Sequence, residues 1–225
     1  MVAVGVDACR QGWVAVAHQP DAPLWGVLLT DLAELPDAIP DAAGVGVDIP
    51  IGLLDDRQRA ADVAARQTLG PRRSSVFATP VRSALRAPTH AAASARSREL
   101  TGQGISQQAY ALREKILQAE AWVPTTSLPV WEVHPEVSFA ELAGHPATAS
   151  KRTWAGTYER LQALRAAGIE IDRLGVAGER AAPDDVVDAA LAAWSAHRLL
   201  TGRGRSLPDP PEHDPATGRP IAIWV

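Results

Sequence analysis

Residues 1–13, MVAVGVDACRQGW, decide how the rest of the chain is read. Val2, Ala3, Val4 and Val6 form a short β-prone run that ends on a carboxylate, Asp7. Gly12 permits a turn, and Trp13–Ala17 (WVAVA) resumes β-type residues. The pattern predicts two strands folded back on each other with an acid at the lip. Such an acid either binds a cation or a phosphate-bearing substrate, or caps its own turn through its side chain. A second strand-end acid favours the first reading. Gly44–Pro50 (GVGVDIP) repeats the design: an apolar strand, then Asp48, then a proline that stops it. Between the two, Leu24–Thr30 (LWGVLLT) reads as a third strand, and Thr30 or Asp31 can cap a short helix through Ile39. Neighbouring parallel strands deliver their last residues to one sheet edge, so Asp7 and Asp48 are expected side by side at the carboxyl edge.

At 225 residues, with 46% apolar and 21% charged side chains, the chain is globular, with length for one generous domain or two small ones. A net charge of -4 gives no whole-molecule attraction to nucleic acid or to an anionic membrane, so any such affinity must be local. No apolar run approaches the roughly 18 residues of a membrane span. The single cysteine, Cys9, excludes an internal disulfide framework and suits a reducing compartment. No basic-then-apolar leader precedes the first strand. A cytoplasmic location is therefore expected. Lysine occurs only at 115 and 151; arginine supplies the other cations, as a GC-rich coding sequence would.

Downstream of Asp48 the composition changes. Asp55–Leu69 reads as a polar helix rich in Ala and Arg, followed by GPRRSSVFATPVRSAL at Gly70–Leu85. Between Arg57 and Lys115 eleven basic residues face three acids, a local excess of eight positive charges. This is either a solvated helical insertion or a basic lobe for a phosphodiester backbone. Arg72 and Arg73 read as a loop tip, where binding groups concentrate, and with Arg82 they are the candidate phosphate contacts. Phe77 can stack on a base or anchor the loop. Ser106–Val123 has the spacing of one helix, with Ser106 as N-cap and Ala109, Leu112, Ile116, Ala119 and Val123 as its buried stripe.

Two later stretches add titratable groups. In VWEVHPEVSF (Val130–Phe139) a strand to His134 places Glu132 and His134 on one face, and Glu136 falls in the first turn of a helix through Leu142. Lys151–Ala167 reads as a helix, amphipathic through Trp154, Tyr158, Leu161 and Leu164. Pro183–Leu200 (PDDVVDAALAAWSAHRLL) is the last major helix. Asp185 and Asp188, three apart, share a face with the small Ala192 and Ser195, so this side can lie close to a sheet. Capping accounts for Asp184 and Asp185 but poorly for Asp188. The tail from Leu207 to Pro220 is rich in Pro, Asp and Gly, and Ile221–Val225 reads as an edge strand or packed terminus.

The candidate acids are thus Asp7, Asp48, Glu136, Asp185 and Asp188. Converging carboxylates repel unless cations neutralise them, and hard oxygen donors suit Mg²⁺ or Mn²⁺. Two such ions would support in-line hydrolysis of a phosphodiester. Zinc-ligand spacing, a Walker A sequence, a dinucleotide fingerprint and a nucleophile elbow are all missing.

Taken in order, GVDACRQGW, GVDIPIGL, RRSSVFATP, WEVHPEVSF and DDVVDAALAAW resemble domain of unknown function family 429, predicted RNase H-like nucleases, over nearly the whole chain. The resemblance implies an α/β fold: a single RNase H-like domain over 1–225, with a mixed five-stranded sheet flanked by helices. Its first three strands would be antiparallel, and an Arg-rich helical insertion at about 55–123 would follow strand four. It implies Asp7 from the first strand, Asp48 from the fourth, and Asp185 and Asp188 from the final helix, spaced as in the Holliday-junction resolvase branch. Glu136 of the HPE motif is an extra acid, and His134 would assist proton transfer or orient it. The expected function is a Mg²⁺- or Mn²⁺-dependent nuclease on DNA or RNA. A catalytically silent binding module is the alternative. A phosphotransferase like the actin and sugar-kinase group, which needs a second copy of the fold, ranks below it.

Overall fold

The computed structural model describes residues 1–172 and 174–225. In chain order the elements are β1 (Val2–Cys9), β2 (Gly12–His18), β3 (Trp25–Leu29), α1 (Leu35–Ala38) and β4 (Ala42–Asp48). Then come α2 (Ala60–Leu69), α3 (Arg82–Leu85), α4 (His90–Thr101), α5 (Gln107–Ala111) and α6 (Arg113–Trp122). They are followed by β5 (Val130–Glu132), α7 (Pro135–Ala143), α8 (Trp154–Ala166), α9 (Val176–Arg180), α10 (Pro183–Leu200), β6 (Ser206–His213) and β7 (Pro220–Trp224). The chain forms two compact units: residues 1–49, 125–205 and 224–225, and residues 50–124 with 206–223.

The first unit holds a five-stranded sheet in the order β3-β2-β1-β4-β5. The opening β-branched runs pair antiparallel, β1 with β2 and β2 with β3, while β4 and β5 run parallel to β1 and β4. This is the mixed sheet, antiparallel over its first three strands, that the resemblance implies. Asp7 and Asp48 are register partners across the β1–β4 pair. With the two-residue period of a strand, Gly5 and Asp7 share a face, as do Gly46 and Asp48. Helix α10 packs on that face, against β1, β2 and β4. It lies so close that a Cβ on Gly5 would overlap the carbonyl oxygen of Ala189 and the amide of Ala193. One on Gly46 would fall 2.7 Å from the Ala192 carbonyl oxygen. The apolar side of α10 completes the core: Val187 and Leu191 bury with Val14 and Val16 of β2, Phe139 of α7 and Leu164 of α8.

The second unit carries the helices between β4 and β5 together with the β6–β7 hairpin. Here α2 packs against β6, and Glu212 of β6 accepts the amide of Ala60 at 2.9 Å. A buried ion pair, Arg59 Nη2 to Asp62 Oδ1 at 2.5 Å, braces the start of α2, and Asp62 also accepts the amide of Thr79 at 2.7 Å.

Several local expectations give way. The helix expected from Asp55 starts at Ala60, where Glu212 supplies the cap that the local sequence lacks. Ser106–Val123 is two helices: Leu112, at φ -85° and ψ 0°, lies off the helical basin and breaks the run. Arg72 and Arg73 lie in a 3₁₀ turn, Gly70–Ser75, rather than a loop tip. Strand β5 stops at Glu132, and His134 is instead the N-cap residue of α7. On α8 the buried side is Gly156, Arg160 and Leu164, while Trp154 and Tyr158 are exposed and pack on each other. The edge strand expected at Ile221–Val225 is present as β7, and within the Pro-rich tail Ser206–His213 forms its partner, β6.

Candidate metal centre

Each acid reaches the centre by a separate route. Asp7 ends the apolar run of β1, and Asp48 is the last residue of β4. Asp188 lies in the second turn of α10, one residue before Ala189, whose carbonyl rests on Gly5. The glycines therefore let the helix descend far enough for its acid to join the two from the sheet. Asp7, Asp48 and Asp188 each offer a carboxylate oxygen within 4.8 Å of the others. Asp7 and Asp188 are buried and Asp48 is partly so. Asp7 Oδ1 accepts the amide of Ala8 at 2.6 Å, so the acid does fasten its own turn while still facing its partners. Asp188 Oδ2 accepts a hydrogen bond from Lys151 Nζ.

The electrostatics follow from this crowding. Burial, then the charges of Asp48 and Asp188, push the Asp7 carboxyl well above the usual carboxylate range. Burial raises Asp48 to about 7 against the opposing pull of Lys151, with Glu132, Glu136 and Asp185 adding to the rise. Asp188 also reaches about 7, chiefly through burial, with Lys151 opposing. For Lys151, burial works against the ammonium, but Asp188, Asp48 and Asp7 outweigh it and raise its pKa. Fully ionised, the three acids would outnumber the one ammonium in a poorly solvated pocket, and that cost is what raises their pKa values. A divalent cation with oxygen ligands would relieve it.

The model of the family described as Protein of unknown function (DUF429) matches residues 5–213. The chain belongs to this family. No curated protein and no solved structure matches it. The matched span contains every acid of the centre, so this DUF429 chain carries the site within its family region.

The remaining candidates stand outside the triad. Asp185, in the first turn of α10, is raised by its own burial and by Asp184, and its charge in turn raises Asp7 and Asp48. Glu136 is buried in the first turn of α7, its Oε1 bonded to Arg160 Nη2 at 2.5 Å. Its Oε2 is buried without a hydrogen-bond partner among the described residues. The His134 carbonyl accepts the Ser138 hydroxyl at 3.2 Å, and its ring is not in the triad. In the second unit, Arg82 is bound to Glu120, Asp55 and Asp214 and donates to the Leu53 carbonyl at 2.7 Å. Arg73 lines a cleft of about 480 Å³ with Arg66, Ser74, Phe77, Gln103 and Gln108. Sequence reasoning missed Lys151 and Arg160. The signal for Lys151 was its rarity, a lysine in a chain that otherwise uses arginine almost throughout. Arg160 gave no signal, because helix-borne arginines are ordinarily solvent-facing.

Proposed function

We propose that this chain is a Mg²⁺- or Mn²⁺-dependent phosphodiesterase acting on DNA or RNA. In this reading Asp7, Asp48 and Asp188 are its metal ligands, on an RNase H-like scaffold working in the cytoplasm. The observation that carries the reading is the meeting of three carboxylates, from two strand ends and one helix, within 4.8 Å. An all-carboxylate donor set suits a hard divalent ion rather than zinc. Such an ion, when bound, would supply Lewis-acid activation of water and of the phosphodiester. The protein's own part is orientation: the Ala8 amide fixes Asp7, the glycine-seated helix fixes Asp188, and Arg160 fixes Glu136. Glu136 Oε2 is a buried acceptor able to receive a proton or hydrogen bond from water. Asp185 supplies further negative charge at the rim, and His134 stands two residues from Glu136 as a proton carrier. Arg72 and Arg73 are the proposed phosphate contacts, in a segment with a strong positive excess.

Purified protein with Mn²⁺ is expected to cut single-stranded or structured nucleic acid, and Asp7→Asn to abolish the cutting. Metal-dependent cleavage undiminished in Asp7→Asn would overturn the assignment. A second reading, a catalytically silent binding module, is favoured by the Lys151 contact, because an ammonium already stands against the acids. If that reading holds, Mn²⁺ leaves the melting temperature unchanged over a wide concentration range.

A further inference from the structure

We propose that Lys151 is a built-in occupant of the acid pocket: its ammonium holds the place of a divalent ion on Asp188 and must swing out before the three acids can share one. The inference rests on the metal-binding reading of Asp7, Asp48 and Asp188. Lys151 Nζ is bonded directly to Asp188 Oδ2, and the triad oxygens all lie within 4.8 Å of one another. An ion ligated there would stand a few ångströms from a like charge, in surroundings that screen it poorly. Ammonium and metal therefore compete for Asp188.

The surrounding structure limits what can move. The backbone that carries Lys151 is pinned to α8: the Thr157 hydroxyl donates to the Lys151 carbonyl at 2.8 Å. Arg160 Nη1 donates to the Ala149 carbonyl at 3.3 Å, and the Thr153 amide donates to the Ser150 carbonyl at 2.9 Å. A Cβ on Gly156 would overlap the Ser150 carbonyl, so the segment is pressed onto the helix. The side chain, by contrast, is 35% exposed and has a route to solvent. Exchange is thus a rotation about the four-carbon stem, not a loop movement. A lysine suits this task better than the arginine used elsewhere: a compact charge on a flexible stem leaves one carboxylate oxygen cleanly, where a planar guanidinium would grip two.

Two measurements on the full-length protein test this. In calorimetric titration with Mn²⁺, Lys151→Met is expected to bind about tenfold more tightly than wild type or more, and Lys151→Arg to remain as weak as wild type. The second is amine acetylation read by mass spectrometry, which is unambiguous because Lys115 and Lys151 are the only lysines. Relative to Lys115, acetylation of Lys151 in the wild-type protein is expected to quicken several-fold at saturating Mn²⁺. This measurement decides the matter alone if Lys151→Met does not fold. Equal affinities with unchanged Lys151 labelling, while Mn²⁺ binds, would overturn the proposal and leave the metal reading standing. Failure of Mn²⁺ to bind both wild type and Lys151→Met would remove both. Binding by Lys151→Met alone would establish the competition in its strongest form.

Discussion

Asp48 and Asp188 have carboxyl pKa values near 7 in the folded protein, against an ordinary value near 4 when unfolded. The folded state therefore holds more protons than the unfolded state across this interval. The stability linked to those protons is complete below about pH 4 and is lost as pH rises through about 7. Metal-free protein should accordingly lose on the order of 5 kcal/mol between pH 5 and pH 7.5 through these two groups. His18 slopes the other way: burial, then His197, lowers it to about 4, so its contribution is present above about pH 6.5 and lost on acidification. Urea denaturation of wild type beside Asp48→Asn separates the two, since only the acid contribution shrinks in the variant. At pH 7.5 without metal, Asp7→Asn is expected to be more stable than wild type by about 1 kcal/mol, through relief of repulsion. At residue scale the acids were legible because a carboxylate ending an apolar strand breaks the local pattern. Their counter-ions were not, because Lys151 and Arg160 join the acids only through tertiary contacts.

The element that matters most is α10, whose bounds follow from Pro183, the acids of its first turn and its apolar periodicity. Its seat on the sheet was half visible: Ala192 and Ser195 signalled a small face, but the glycines beneath belong to strands remote in sequence. Gly5→Ala is expected to cost about 3 kcal/mol or more by chemical denaturation, because the added carbon meets helix backbone rather than a side chain that can turn away. It should also weaken Mn²⁺ binding, as α10 carries Asp188 off with it. Elsewhere periodicity misled where a residue had a task other than packing. On α8, Arg160 is buried to hold Glu136, and the aromatic Trp154 and Tyr158 that look like core lie outside. Strand β6 gave no strand signal, because prolines cannot donate to a ladder; it is the pairing with β7 that makes it one.

For the whole molecule, length and composition indicated a globular chain, the runs ending at Asp7 and Asp48 set β1 beside β4, and the α/β class came from the family resemblance. The second unit is built from 50–124 and 206–223, and no local pattern announces that the tail joins the helices. Among the described residues no helix is long and apolar enough to cross a membrane. If the acids take a metal, Mn²⁺ at a hundredfold excess over its dissociation constant should add about 2.7 kcal/mol and raise the melting temperature by about 5–10 °C. Scanning calorimetry with and without chelator reads this directly.

Because Asp7 and Asp48 are register partners on adjacent parallel strands, hydrogen-bonded backbone fixes the gap between their roots at about 4.8 Å. The sheet thus acts as a gauge, and the length of each acid's arm is matched to it. Lengthening one arm by a methylene preserves the charge but spoils the measure. Asp48→Glu should then impair Mn²⁺ binding almost as severely as Asp48→Asn, an outcome that titration of the two variants side by side would reveal.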